Sequence, residues 1–137
     1  MIQKIGNDDP KIAATISRAI ELDENDQTAY AVELLTRLLE EFPQAASLHG
    51  YIAWFSLRIE RSAEAIDHGH RAVELAPTSE KASLVYFHAL WRSGKRTEAF
   101  DEMKRFLAIR PSEEYSTIIK DWKLDAAHLP GGGETRS

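Results

Sequence analysis

Five histidines, several adjacent acid pairs and one glycine run are the side chains here with the types and spacing that chemistry could use, in a chain that has no cysteine. Two imidazoles on one helix can hold a metal ion together only if they lie on the same face. His68 and His70 are two residues apart and diverge on a helix. His49, His88 and His128 fall in separate helical stretches, and we expect no histidine to have a carboxylate at ligand spacing, so packed or solvated rings are the expectation. Glu40-Glu41 and Glu113-Glu114 are adjacent and point apart, unlike a paired acid and base. The triple glycine at 131 to 133 follows Pro130 and opens no helix, so it reads as a linker. No zinc-protease or serine-hydrolase motif and no phosphate loop occurs. The expectation is a chain with no catalytic residue, no metal and no cofactor.

Composition points the same way. A hydrophobic content of 43% with 28% charged residues suits one soluble domain of 137 residues with its own core. The net charge of −5 argues against nucleic acid as a partner, because phosphates call for a basic stripe. Without cysteine there are no disulfides or thiolate metal sites, and no stretch has the apolar length of a signal or a membrane span. A cytoplasmic protein with no membrane partner is expected. Charge is unevenly placed: residues 1 to 45 carry four basic against nine acidic side chains, a net of −5, and residues 80 to 113 carry seven against five, a net of +2.

The elements are set by one interval. Ala31, Ala65 and Ala99 are 34 residues apart, as are Pro43, Pro77 and Pro111, and as are Leu39, Val73 and Leu107. A strict period of that size marks units that bury their apolar faces only against neighbours. Asp8, Asp9 and Pro10 make a helix start. Apolar residues then recur at helical spacing through Ile12, Ile16, Ala19 and Ile20, and through Tyr30, Leu34, Leu35, Leu38 and Phe42. The pattern restarts after Pro43 and again after Pro77, with Thr78 or Ser79 as a cap, and Ser112 opens a last helix of about residues 113 to 128 that includes Tyr115, Ile118, Ile119 and Trp122. The predicted architecture is an all-α solenoid of seven helices: three helix-turn-helix repeats at about 12–45, 46–79 and 80–113, and a C-terminal capping helix. Residues 1–10 form a lead-in, 11–129 the repeat domain, and 130–137 a flexible tail.

These columns resemble the tetratricopeptide repeat, a 34-residue helix-turn-helix unit with small residues at the helix crossing and a closing proline. Ala19, Ala53 and Gly94 also match it. The chain departs from that pattern where Leu35, Gly69 and Met103 replace a large aromatic. Phe87 stands at a usually small position, with Ala99 opposite as the residue that gives way. Phe106 fills the column of Ala72, and Ser116 on the last helix is the residue it is expected to meet.

The resemblance implies an inner groove lined by the first helix of each unit. In that register Ile20, Trp54, His88 and Trp122 form one row, and Ile16, Gly50, Leu84 and Ile118 a second. The candidate groove residues are Tyr51, Trp54, Leu57, Arg58, Lys81, Leu84, His88, Trp91, Arg92, Ile118 and Trp122. Aromatic rings and arginines together are the composition of binding hot spots. Trp54, Trp91 and Trp122 are the expected apolar anchors, and Arg58 and Arg92 the charged grips. One variant of the family grips a terminal carboxylate with lysine and asparagine; the matching positions here are Gly50, Trp54, Lys81 and Val85, so only Lys81 agrees and that clamp is not expected. The function implied is a non-catalytic scaffold that binds a peptide or helix of another protein. A secretion-type chaperone, a regulatory subunit and a homodimer closed through the groove are the alternatives.

Overall fold

The computed structural model describes residues 9–122, so most of the 1–10 lead-in, the last helix beyond Trp122, His128 and the 130–137 tail lie outside the described residues. Among the described residues seven helices follow one another: α1 (Pro10–Glu24), α2 (Thr28–Glu41), α3 (Ala46–Arg58), α4 (Ser62–Leu75), α5 (Glu80–Arg92), α6 (Arg96–Ile109) and α7 (Glu113–Asp121). Three of them begin at a side chain that accepts from a free backbone N–H. Asp9 takes Lys11 N at 2.8 Å, Ser79 takes Ala82 N at 3.1 Å and Ser112 takes Tyr115 N at 3.0 Å. Proline follows each second helix of a pair within two residues, where no further helical bond can form.

The turn inside each pair is built the same way three times. Gln27 N reaches Leu22 O at 2.8 Å, Arg61 N reaches Ser56 O at 2.8 Å and Lys95 N reaches Leu90 O at 2.9 Å. Each such closure places one residue in the left-handed region: Asp26 (φ 62°), Glu60 (φ 63°) and Gly94 (φ 81°). Only the third turn uses the residue that tolerates this conformation without a Cβ clash. Glu60→Gly is therefore expected to raise stability by about 0.5–1 kcal/mol, and Gly94→Ala to lower it by about 1 kcal/mol. Urea unfolding midpoints at constant slope check both.

Packing makes two layers. α3 touches α1, α2, α4 and α5, so the first helices of the pairs lie side by side and the second helices cover one flank. Ala31, Ala65 and Ala99 are all fully buried, which lets each second helix approach its partner closely. Ile12, Leu35, Leu48, Ile52 and Phe55 fill the N-terminal core. Phe87, Met103, Phe106 and Tyr115 fill the C-terminal one, together with Ala99. Gly69 has a steric reason: a Cβ there would stand 3.1 Å from the Tyr86 backbone Cα, so α5 rests on the surface that its missing side chain leaves.

One packing expectation is corrected. Phe106 does not meet Ser116, which is exposed; its ring lies 6.1 Å from that of Tyr115, the buried residue one position earlier. Tyr115 fits because its hydroxyl finds the Ser83 hydroxyl at 2.7 Å inside the core.

Candidate functional site

A groove of about 620 Å³ runs between α3 and α5. From α3 come Ala46, Ser47, Gly50, Tyr51 and Trp54, and from α5 come Lys81, Ala82, Leu84, Val85 and His88; Ala76 and Ser79 close one edge and Glu114 of α7 another. The two helices present equivalent faces, since 47, 50, 51 and 54 recur 34 residues later as 81, 84, 85 and 88. A helix packed only on its neighbours leaves such a stripe bare, and here the stripe is mostly apolar.

Two of its members define its shape. Trp54 is 44% exposed, a large apolar surface open to solvent. Gly50 lies in the interior of α3, yet an added Cβ would meet nothing within 4 Å. Glycine there costs the helix about 1 kcal/mol relative to alanine and relieves no clash within the fold. Lys81 and Glu114 are the charged members of the lining. His88 is held below the ordinary histidine pKa by burial and then by Arg92, against a smaller opposite pull from Glu114, so its ring is a neutral part of the wall at pH 7.

Of the residues expected in the groove, Tyr51, Trp54, Lys81, Leu84 and His88 line it. The others are placed elsewhere. Leu57 is only 2% exposed, clustered with Ala65 and Ala89, because α4 and α5 close over the last turn of α3. Arg58 is bound to Asp23, Nε to Oδ1 at 2.7 Å, and the same carboxylate oxygen accepts from the Thr28 hydroxyl at 2.6 Å. It thus bridges two repeats rather than standing free as a grip. Trp91 packs on Phe100, Trp122 and Phe87, with ring centroids 5.4, 4.9 and 6.0 Å away, and Arg96 covers it at 4.6 Å. Ile118 belongs to the C-terminal core. Trp122 is 38% exposed and touches Phe87, His88 and Trp91, while Arg92 is exposed beside the wall.

The lining also includes Ala46, Ser47, Ala76, Ser79, Ala82, Val85 and Glu114, which are not among the groove residues expected from the sequence, and Gly50, which stands in the expected second row. For Ser47 and Val85 the signal was present, since they are the 34-residue partners of Lys81 and Tyr51.

One expectation about the histidines is corrected. His70 does have a carboxylate one turn on, with Nδ1 3.7 Å from Glu74 Oε2. His49 and His68, on different helices, meet with their Nδ1 atoms 3.0 Å apart. Among the described residues no three His, Cys, Asp or Glu side chains gather so as to hold a metal ion, and no helix is long and apolar enough to cross a membrane.

The architecture is that of several solved structures. The first TPR of Spaghetti (RPAP3), bound to the HSP90 peptide SRMEEVD, superposes with a TM-score of 0.73 at 20% identity, over 83% of this chain and 94% of that one. The chain has the tetratricopeptide-repeat (TPR) fold. The second TPR of Spaghetti, bound to the same peptide, gives 0.65 at 23% identity over 71% of this chain and 90% of that one. A point mutant of MamA gives 0.64 at 18% over 79% of each. No protein-family model and no curated protein matches the sequence. In TPR terms the groove is the inner face of the second and third repeats, walled by their first helices.

Proposed function

We propose that this TPR chain is a non-catalytic interaction scaffold that takes a peptide or helix segment of a partner protein between α3 and α5. The observation that carries the reading is Gly50. A mid-helix glycine that relieves no contact within the fold, on the floor of an apolar groove beside an exposed tryptophan, leaves room for something that is not part of this chain's own core. The peptide held by each Spaghetti domain supports the same kind of use for the fold. With only Lys81 matching the lysine and asparagine of a carboxylate clamp, the grip here rests on Trp54, Tyr51, Leu84 and Val85.

Gly50→Leu tests this with little cost to the fold. The new side chain projects into open space, and the helix gains about 0.8–1 kcal/mol in propensity. The variant should keep its helical circular dichroism and unfold no earlier than the native protein, yet lose the partners that affinity capture with mass spectrometry recovers on native protein. Trp54→Ala should behave alike in capture. Recovery of the same proteins at the same yield on both variants would remove the groove from consideration. Sedimentation of native protein and Gly50→Leu at micromolar concentration separates a homodimer closed through the groove from binding to a different chain.

A further inference from the structure

Outside the groove, the contact between His49 and His68 has a chemistry of its own. His49 is almost fully buried on α3, and His68 is half-buried on α4. His49 Nε2 lies 2.9 Å from the Pro43 carbonyl oxygen, and its Nδ1 lies 3.0 Å from Nδ1 of His68. A carbonyl oxygen can only accept, so Nε2 of His49 carries a hydrogen. In the neutral ring Nδ1 is then a bare lone pair. The facing atom must donate, which puts the hydrogen of neutral His68 on its Nδ1. Both tautomers follow from one carbonyl group.

We propose that His49 and His68 form a proton-sensitive latch that joins α3 to α4 and to the turn at Pro43, closed with at most one added proton and opened by the second. The first proton goes to Nε2 of His68. It leaves the Nδ1–H donor in place and makes the bond charge-assisted. The second has only Nδ1 of His49 to bind, which sets two N–H groups and two cations face to face at a separation of 3.0 Å. The pair therefore titrates as a coupled unit.

Among the described residues, Arg71 of α4 opposes a proton on His49; on His68 a charge on His49 of α3 opposes a proton, and Asp67 and Glu64 of α4 favour one more weakly. Burial is the larger influence on both rings and lowers both pKa values below the ordinary histidine value. The unfolded chain thus binds protons at higher pH than the folded one. The latch's contribution to stability is complete above about pH 6.5 and is lost as the pH falls through the lowered folded values.

Opening also reaches the groove, since Ser47 and Gly50 flank His49 on α3 and line it. That consequence rests on the reading of the groove as a binding site; the latch does not.

Long-range nitrogen–proton NMR of the imidazoles in the native protein, from pH 8 to pH 4.5, tests the latch without any variant. At pH 8 His49 should be protonated at Nε2 and His68 at Nδ1, and on acidification Nδ1 of His49 should be the last of the four ring nitrogens to gain a hydrogen. The urea midpoint should fall between pH 7.5 and pH 5. In His68→Asn, whose side-chain amide can donate to His49 without titrating, that fall should shrink by about half. Two rings that titrate independently at the ordinary value, or His68 protonated at Nε2 alone at pH 8, would overturn the proposal. So would an unchanged acid sensitivity in folded His68→Asn. If that variant does not fold, the order of protonation in the native protein decides.

Discussion

Trp91→Ala should destabilise the protein by about 3 kcal/mol, whereas Trp54→Ala, an equal loss of atoms, should cost less than about 1 kcal/mol. The two rings are of the same kind and occur on neighbouring first helices, but their surroundings differ. Trp91 is packed by Phe87, Phe100 and Trp122 and covered by the Arg96 guanidinium. Its removal opens a cavity among aromatic rings whose edges and faces are already matched. Trp54 is 44% exposed and has no such enclosure. Chemical denaturation with an unchanged slope reads the difference directly. Comparable losses for the two variants would mean that Trp54 is covered core, and the groove reading would fall with it.

Tyr115→Phe is the second large effect, expected at about 1–3 kcal/mol. The phenol and the Ser83 hydroxyl satisfy each other at 2.7 Å in a region closed to water, and burial pushes the phenol pKa well above its usual value, so the hydroxyl keeps its hydrogen throughout the accessible range. Deleting one oxygen leaves the other buried without that partner. Tyr115→Phe combined with Ser83→Ala removes both, and should be less destabilised than the sum of the single variants by about 1 kcal/mol. This bond anchors α7 to α5, so protection of the α7 amides from hydrogen exchange should fall in the single variant before the rest of the chain is affected.

The 34-residue columns carried the fold because the residues in them answer to the backbone. Ala65 is small since two helices cross there, and Pro77 follows a helix end since it lacks an N–H; both requirements repeat with the repeat. Even the left-handed positions Asp26, Glu60 and Gly94 keep the interval, although only Gly94 among them is a glycine. The same interval was less informative about the groove. It put Trp54 and Trp91 in one class as aromatic residues on first helices, but Trp91 lies in the last turn of α5, where Phe100 of α6 and Trp122 enclose it. Arg58 was legible as a cation on the inner face; its commitment to Asp23, 35 residues away, depends on where a long flexible side chain comes to rest. The His49 and His68 contact joins two columns that have no common period. Gly69 and Gly50 show the limit most clearly. Both are mid-helix glycines, and only coordinates show that one has a backbone pressed against it and the other has empty space.

The aromatic cluster at the C-terminal end also gives this protein a built-in optical readout. Trp91 and Trp122 lie with ring centroids 4.9 Å apart, close enough for their excited states to couple, whereas Trp54 stands apart from them on the groove wall. The near-ultraviolet dichroism of this tilted pair reports whether the end of the solenoid is intact. Collisional quenching of tryptophan emission reaches both Trp54, 44% exposed, and Trp122, 38% exposed, so an occupant of the groove lowers the quenching while leaving the dichroism of the pair in place. One unlabelled sample can therefore distinguish a molecule that occupies the groove from one that loosens the repeat stack.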